Sequence, residues 1–306
     1  MSMFIEIGVY GGAVPFAIAL ALVYLARRFL PHNVFERIAM SAAMAVAFFV
    51  GWVLLPDGWT PLKPARPWHW LPYLGLLAAA LGAVAKNQTT PLADSGRGTQ
   101  PNPTYLRRLA TNLVTAAAAA WLLAPNWPDL NPPRYVYVSL LAGYLVALMT
   151  LLDALPDRLM RPLFAFLLFA AASATALVIA EPVSLQYGQV AGISAAALFG
   201  CGVAACCGRS GPTLRGVNPV YVVLVGGMAF SGSIEPEPAI YSILLAPLAP
   251  LMLWLCAYGP LARLADRKGI PVQFAVVAIP LAILLAWTLM GGEPEYGEYE
   301  YPDWDY

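Results

Sequence analysis

The sequence predicts an all-α polytopic membrane protein: ten transmembrane helices joined by short loops. Of its 306 residues, 60% are hydrophobic and only 11% are charged, and the mean hydropathy is +0.67. Soluble domains contain about 45 to 50% apolar and about 25% charged residues, so the composition excludes a soluble fold. Two further observations, the spacing of the charged residues and the placement of the basic ones, give the number and direction of the helices.

Charged residues divide the chain into two classes of segment. A charge at the centre of a bilayer costs about 2.5 to 3.5 kcal/mol, so long uncharged stretches mark membrane spans. A helix needs about 20 residues to cross a hydrocarbon core about 30 Å thick. Ten stretches are 18 residues or longer, and all others are nine or shorter. The predicted spans are 7–26, 38–56, 67–85, 109–128, 135–152, 162–180, 182–208, 216–234, 238–262 and 269–292.

Basic residues lie mainly in alternate connections. Fourteen of the 17 Lys and Arg residues follow spans 1, 3, 5, 7 and 9, and only Lys63, Arg66 and Arg134 lie on the other side. We call the first side the basic end and the second the acidic end; their side-chain charges sum to +9 and −9. Because basic loops stay in the cytoplasm, we expect both termini outside and a location in the cell (inner) membrane, with the lipid bilayer as the main partner.

The chain is expected to form one transmembrane domain over residues 1–290 and a separate tail over 291–306. The tail contains six acidic residues, four Tyr and one Trp, and no basic residue. Like-charge repulsion and the lack of aliphatic residues predict disorder. The alternative is an external docking site for a basic protein partner. Nothing in the chain predicts a nucleic-acid partner.

Neutral polar residues are the only polar groups near the middle of the predicted spans. Asn112, Gln189, Ser194 and Gln273 form the candidate transport path, and Ser231 belongs to the same class. Their lack of charge predicts a neutral or amphipathic substrate. The alternative is that they form hydrogen bonds between helices, which are worth about 0.6 kcal/mol on average in membranes.

Helix-breaking residues are concentrated in the last three spans. Gly226, Gly227, Pro247, Pro250 and Pro280 are the candidate helix hinges. Proline inside a helix removes a hydrogen bond, and the freed carbonyl is tolerated in a membrane only where protein or water meets it. These residues therefore predict a polar cavity in the C-terminal half, with ordinary kinking of membrane helices as the alternative.

Three local patterns give further expectations. Asn218-Pro219 is expected to open the eighth helix, with the Asn side chain as its cap. Trp59, Trp68 and Trp70 are expected to belong to an aromatic belt at the membrane surface. Small residues recur every four positions over 188–204, which predicts close helix contacts and a central place for the seventh helix.

Few residues suggest enzyme chemistry. Asp153 and Asp157 have the spacing of one helical face and could hold Mg²⁺ for a membrane-embedded transferase, although Pro156 lies between them. Two His residues and four Cys residues without a CxxC pair predict no metal site and no cofactor. We assign no catalytic residue, and an enzyme is the less favoured class.

Three functions follow, in order of preference. The first is a permease or exporter for a small neutral or amphipathic molecule. The second is a non-catalytic membrane subunit or scaffold that recruits a partner through the acidic tail. The third is the transferase that uses the Asp-x-x-x-Asp pair.

Overall fold

The all-α prediction is confirmed for the residues that the structure describes. The computed structural model describes residues 7–55, 64, 66–84, 103–127, 131–156, 159, 161–207, 216–234, 240–261 and 269–290. These residues are 88% helical, and no strand occurs among them. The predicted acidic tail, residues 291–306, lies outside the described part of the chain.

Ten helical segments follow one another in these described ranges, and each overlaps one of the long uncharged stretches. Three begin irregularly: α1 (7–29) with a π-helical Ile7–Ala13 before Val14–Phe29, α3 (67–84) with a 3₁₀ turn Pro67–Trp70 before Leu71–Val84, and α9 (Tyr241–Ala257) with a 3₁₀ helix Tyr241–Leu253 before Trp254–Ala257. The others are α2 (His32–Leu54), α4 (Pro103–Leu123), α5 (Arg134–Asp153), α6 (Arg161–Ala180), α7 (Leu185–Cys206), α8 (Val217–Ile234) and α10 (Ile270–Met290).

Six of these helices are long and apolar enough to cross a membrane: α1, α5, α6, α7, α8 and α10. The apolar parts of α2 and α9 are shorter, 10 to 17 residues. The count of ten crossings and the side on which the termini lie remain predictions.

Apolar side chains cover the outside of the bundle, and polar ones lie within it. Phe29, Trp287 and Met290 are 76%, 74% and 81% exposed, whereas Thr175 and Ser194 are fully buried. A soluble protein rarely exposes large contiguous apolar patches. This distribution is the one expected of a helix bundle surrounded by lipid.

Contacts between helix ends agree with helices that alternate in direction. The Arg27 guanidinium near the end of α1 donates to the Cys207 carbonyl that follows α7, at 3.3 Å. At the other end of the bundle, the Arg134 guanidinium at the start of α5 donates to the Trp121 carbonyl near the end of α4, at 2.8 Å. Helices α1 and α7 therefore end on the same side of the bundle, and α4 ends on the side where α5 begins.

Helix α8 forms the centre of the bundle. Every residue from 217 to 233 is buried, and α8 packs against α2, α3, α4, α5, α6, α7 and α9. Helix α7 packs against α1, α2, α6 and α8, and most of its residues are buried, which agrees with the central place expected for it. Its small residues allow close contact: a Cβ on Gly200 would lie 2.6 Å from the Phe16 carbonyl oxygen of α1.

Most of α9 is a 3₁₀ helix whose two prolines are anchored by tyrosines. In a 3₁₀ helix each N–H bonds the carbonyl three residues earlier, so Pro247 leaves the Leu244 carbonyl free and Pro250 leaves the Pro247 carbonyl free. The Tyr144 hydroxyl donates to the first and the Tyr221 hydroxyl to the second, each at 3.2 Å. The two prolines thus connect α9 to α5 and α8.

Candidate functional site

A cavity of about 280 Å³ lies at the acidic end of the bundle, beside the last turn of α8. At about 30 Å³ per molecule in the liquid, this volume corresponds to about nine waters. The start of α3, the end of α4, the start of α7 and the end of α8 enclose it. Its walls include Arg66, Trp68, Leu123, Trp127, Tyr187 and Ser231. We call this cavity the acidic-end pocket.

Aromatic rings form a firm wall of the acidic-end pocket. Trp68 is 3% exposed, and its ring centroid lies 5.1 Å from that of Trp52 in α2 and 5.3 Å from that of Tyr187 in α7. The expectation that Trp68 belongs to a surface belt was therefore wrong. The 3₁₀ turn at the start of α3 places this ring between neighbouring helices, where packing against other rings fixes it.

Two polar atoms in the wall of the pocket have no hydrogen-bond partner. The Trp68 Nε1 and the Ser231 Oγ are both buried, and their residues are 3% and 6% exposed. Leaving a buried donor or acceptor unsatisfied costs about 1 to 3 kcal/mol, and native proteins contain few such groups. Five further atoms of this kind lie elsewhere in the described residues, so the two are not special to the pocket, and both are buried beneath its surface.

A hydrogen-bonded cluster closes the basic end of α8. The Asn218 Nδ2 donates to the Asp153 Oδ1 at 3.2 Å, and the Asn112 Nδ2 donates to the Asp153 Oδ2 at 3.5 Å. Asn218 is fully buried and Asn112 is 5% exposed. The cluster joins α4, α5 and α8, and we call it the basic-end cluster.

Asn218 does not cap α8 as the sequence suggested. The helix begins at Val217, one residue earlier, and its N-cap Gly216 makes no side-chain hydrogen bond. Because Asn218 already lies within the first turn, its amide points across to the Asp153 carboxylate. A residue expected to act within its own helix instead connects two helices.

The structure distributes the predicted transport-path residues over both ends of the bundle. Asn112 belongs to the basic-end cluster, and Gln273 is buried in the first turn of α10. Gln189 lies partly buried in the second turn of α7, and Ser194, fully buried, has an Oγ without a hydrogen-bond partner. None of the four lines the acidic-end pocket. The path stays a prediction.

The predicted hinges occupy different settings. Gly226 ends the π-helical segment in the middle of α8, and Gly227 follows it directly. Pro247 and Pro250 carry the tyrosine contacts of α9, and Pro280 lies within the half-exposed α10. Their role as hinges stays a prediction.

The two other predicted functions depend partly on residues outside the described ranges. Asp157 and the tail 291–306 both lie there, so the transferase and the scaffold hypotheses stay predictions. Within the part of the chain that the structure describes, no group of three or more His, Cys, Asp or Glu residues could hold a metal ion.

A second cavity, of about 490 Å³, lies between α1, α6 and α7. Phe16, Phe169 and Phe199 line it together with small residues, and Ser173 is the one polar residue in its wall. No unpartnered buried polar atom borders it within the described ranges. Such a groove suits an acyl chain, so the acidic-end pocket is the better candidate for a specific site.

Comparison with protein-family models, with curated proteins and with solved structures gave no match of the chain to any of them. The two ends of α8 differ in their surroundings: one borders the acidic-end pocket, and the other is held by hydrogen bonds to Asp153.

Proposed function

We propose that this protein is a multi-pass permease or exporter of the cell (inner) membrane for a small neutral or amphipathic molecule. The observation that carries the proposal is the asymmetry of the central helix α8. Its acidic end borders a pocket of about 280 Å³, and its basic end is held by the Asn112, Asp153 and Asn218 side chains. A carrier that is open to one side and closed to the other has this arrangement.

The proposal includes ten crossings with both termini outside. Three features support it. Every long uncharged stretch overlaps a helix, and the helices alternate in direction. The helices that are less apolar in overall composition still expose apolar side chains on their outer surface. In α4, for example, Leu113, Val114 and Trp121 are 49%, 57% and 61% exposed, as on a lipid-facing surface. The positive-inside rule then places the basic end in the cytoplasm and the acidic-end pocket outside.

During transport in this scheme, the open end of α8 closes and the closed end opens. Release toward the basic end requires Asn112 and Asn218 to separate from Asp153. The π-helical segment and Gly226-Gly227 interrupt regular α-helix geometry midway along α8, so the two halves of this helix can move relative to each other there. Tyr221 remains bound to the Pro247 carbonyl and keeps the first half attached to α9.

The test is a comparison of metabolite flux between two variants. Ser231→Leu fills the acidic-end pocket, whereas Ser139→Leu changes an exposed serine on α5 and serves as the matched control. We expect cells producing the wild-type chain or Ser139→Leu to differ from cells producing Ser231→Leu in uptake or release of at least one small organic molecule. Equal metabolite profiles in all three strains, at equal protein levels in the membrane, would count against a permease.

A further inference from the structure

We propose that Cys206 is a site of S-acylation, and that the attached long acyl chain lies in the groove between α1, α6 and α7. Three observations carry the proposal. The Cys206 thiol is exposed at the end of α7, it lies on the face of α7 that forms part of the groove, and the groove lies within the reach of an acyl chain. Acylation of this kind occurs at cysteines beside a membrane span.

The Cys206 thiol is accessible at the basic end of the bundle. Cys206 is the last residue of α7 and is exposed, as is Cys207 after it, whereas Cys201 is fully buried. The Arg27 guanidinium donates to the Cys207 carbonyl at 3.3 Å, and Arg28 beside it is exposed. Cations at this place attract the phosphates of coenzyme A and so bring an acyl-CoA to the thiol.

One face of α7 leads from Cys206 to the groove. Seven residues make nearly two turns of an α-helix, so Gly192, Phe199 and Cys206 lie one above another. Gly192 and Phe199 line the groove, and Val203 lies between Phe199 and Cys206 on the same face. Phe199 and Cys206 are exposed and the other two are half-buried, although most residues of α7 are buried. This face is therefore the surface at which α7 meets an apolar chain.

The length of this face matches an extended chain of sixteen carbons. At a rise of 1.5 Å per residue, Phe199 lies about 10 Å and Gly192 about 21 Å from Cys206 along the helix axis. Tetrahedral carbon–carbon bonds of about 1.5 Å advance about 1.25 Å each along a zigzag chain, so sixteen carbons extend about 20 Å. Such a chain ends beside Gly192, whereas a chain of eight carbons ends at Phe199.

The walls of the groove suit an acyl chain. The Phe199 ring centroid lies 5.4 Å from that of Phe16 and 5.0 Å from that of Phe169, and small residues form most of the remaining wall. A Cβ on Gly192 would meet no atom within 4 Å, so space is open at the far end. A chain of a membrane lipid is the competing occupant. The thioester favours the attached chain, because it holds that chain beside the groove at a high effective concentration.

The attachment is a thioester exchange with a long-chain acyl-CoA. The Cys206 thiol loses its proton, because the thiolate is the nucleophile. Its sulfur forms a bond to the carbonyl carbon of the acyl-CoA, and the bond from that carbon to the coenzyme A sulfur breaks. The released coenzyme A takes up the proton as a thiol. One thioester replaces another, so no oxidant or reductant takes part.

The experiment measures acyl transfer to the full chain in phosphatidylcholine nanodiscs. Both ends of the bundle meet solvent there, so the result does not depend on the proposed orientation or on transport. Palmitoyl-CoA is added to the wild type, Cys206→Ser and Cys207→Ser, and the hydroxylamine-sensitive thioester is followed by mass spectrometry. We expect Cys206→Ser to react about tenfold more slowly than the wild type and Cys207→Ser to react like it. No acylation of the wild type, or equal rates in the two serine variants, overturns the proposal.

Two glycine variants test whether the chain lies in the groove. Gly192→Leu fills the far end of the groove, and Gly143→Leu makes the same change on an exposed part of α5; a new Cβ meets no atom within 4 Å at either position. We expect Gly192→Leu to slow transfer from palmitoyl-CoA about fivefold but not transfer from octanoyl-CoA, whose chain is too short to reach it. Gly143→Leu should change neither rate. Unchanged palmitoyl transfer in Gly192→Leu, or equal slowing of both transfers, overturns the proposal.

Discussion

The two ends of α8 are equally buried but differently bonded. At the basic end, Asn218 is fully buried and its amide donates to Asp153. At the acidic end, Ser231 is 6% exposed and its hydroxyl has no partner. The difference shows that burial alone does not locate a site in this bundle. Each end has a buried polar atom without a hydrogen-bond partner, the Asn218 Oδ1 and the Ser231 Oγ, but only at the basic end does the same side chain also bond a neighbouring helix.

This contrast predicts that substitutions at the bonded half of α8 lower stability, whereas those at the open half lower binding. A membrane helix has no water to replace a lost partner, so unsatisfied groups are costly in both halves. At the acidic end, the Ser231 hydroxyl already lacks a partner, so removing this hydroxyl breaks no hydrogen bond.

The largest expected effect is at the basic-end cluster. Asp153→Ala removes the acceptor of both asparagine amides, one of them in a fully buried residue. We expect the free energy of unfolding to fall by about 2 to 4 kcal/mol, because hydrogen bonds to charged groups contribute about 1.5 to 3 kcal/mol each. Denaturant titration in detergent micelles measures this.

Asp153→Asn is the control for this prediction, because it keeps the shape and one acceptor oxygen but loses the charge. We expect about half the loss. If both variants unfold at the same denaturant concentration as the wild type, the basic end is not held by this cluster.

The next effect concerns the middle of α8, where Tyr221 satisfies the carbonyl that Pro250 leaves free. Tyr221→Phe leaves the Pro247 carbonyl without a partner, and we expect a loss of about 1 to 3 kcal/mol. In a chain that also carries Pro250→Ala, the new N–H of residue 250 can bond the Pro247 carbonyl. Tyr221→Phe should then lower the free energy of unfolding much less. A double-mutant cycle by denaturant titration measures the coupling, and additive losses would contradict the tyrosine anchor.

The smallest expected effect on stability is at the acidic end. Ser231→Ala removes a hydroxyl that has no partner, so we expect a change within about 0.5 kcal/mol or a slight gain. Ser233→Ala is the comparison, because the buried Ser233 hydroxyl donates to the Phe230 carbonyl at 2.8 Å. Thermal unfolding of both variants should show a lower melting temperature only for Ser233→Ala. A larger loss for Ser231→Ala would show that the hydroxyl has a structural role.

Charge spacing predicted where the helices of the described ranges occur, because long uncharged apolar stretches fold as helices that bury or expose their side chains to an apolar surrounding. The spacing predicts the first and last residues of the helices less well. For example, α4 begins at Pro103, although the uncharged stretch begins at 109. Arg107 and Arg108 lie in the first two turns of this helix, since charged side chains near a helix end can extend toward the membrane surface.

The site could not be predicted in the same way, because it depends on which helices meet. Trp68 and Ser231 are far apart in sequence, and only the packing of α3 against α8 brings both into one wall. Asn218 was misassigned for the same reason, since its partner Asp153 lies on another helix. Ser231 was recognised as a polar group within a span, but nothing in its neighbours distinguishes it from Ser233.

Cysteine labelling tests which end of α8 faces outside. Native Cys206, the last residue of α7, and Cys207, which follows it, are exposed at the basic end, and Trp127, at the mouth of the acidic-end pocket, is 50% exposed. A membrane-impermeant maleimide is applied to intact spheroplasts producing either the wild-type chain or a Cys206→Ser, Cys207→Ser, Trp127→Cys variant. We predict that the variant is labelled from outside and the wild type only after the membrane is opened. Labelling of Cys206 or Cys207 in intact spheroplasts, with Trp127→Cys reached only from within, would contradict the orientation that the proposed function includes.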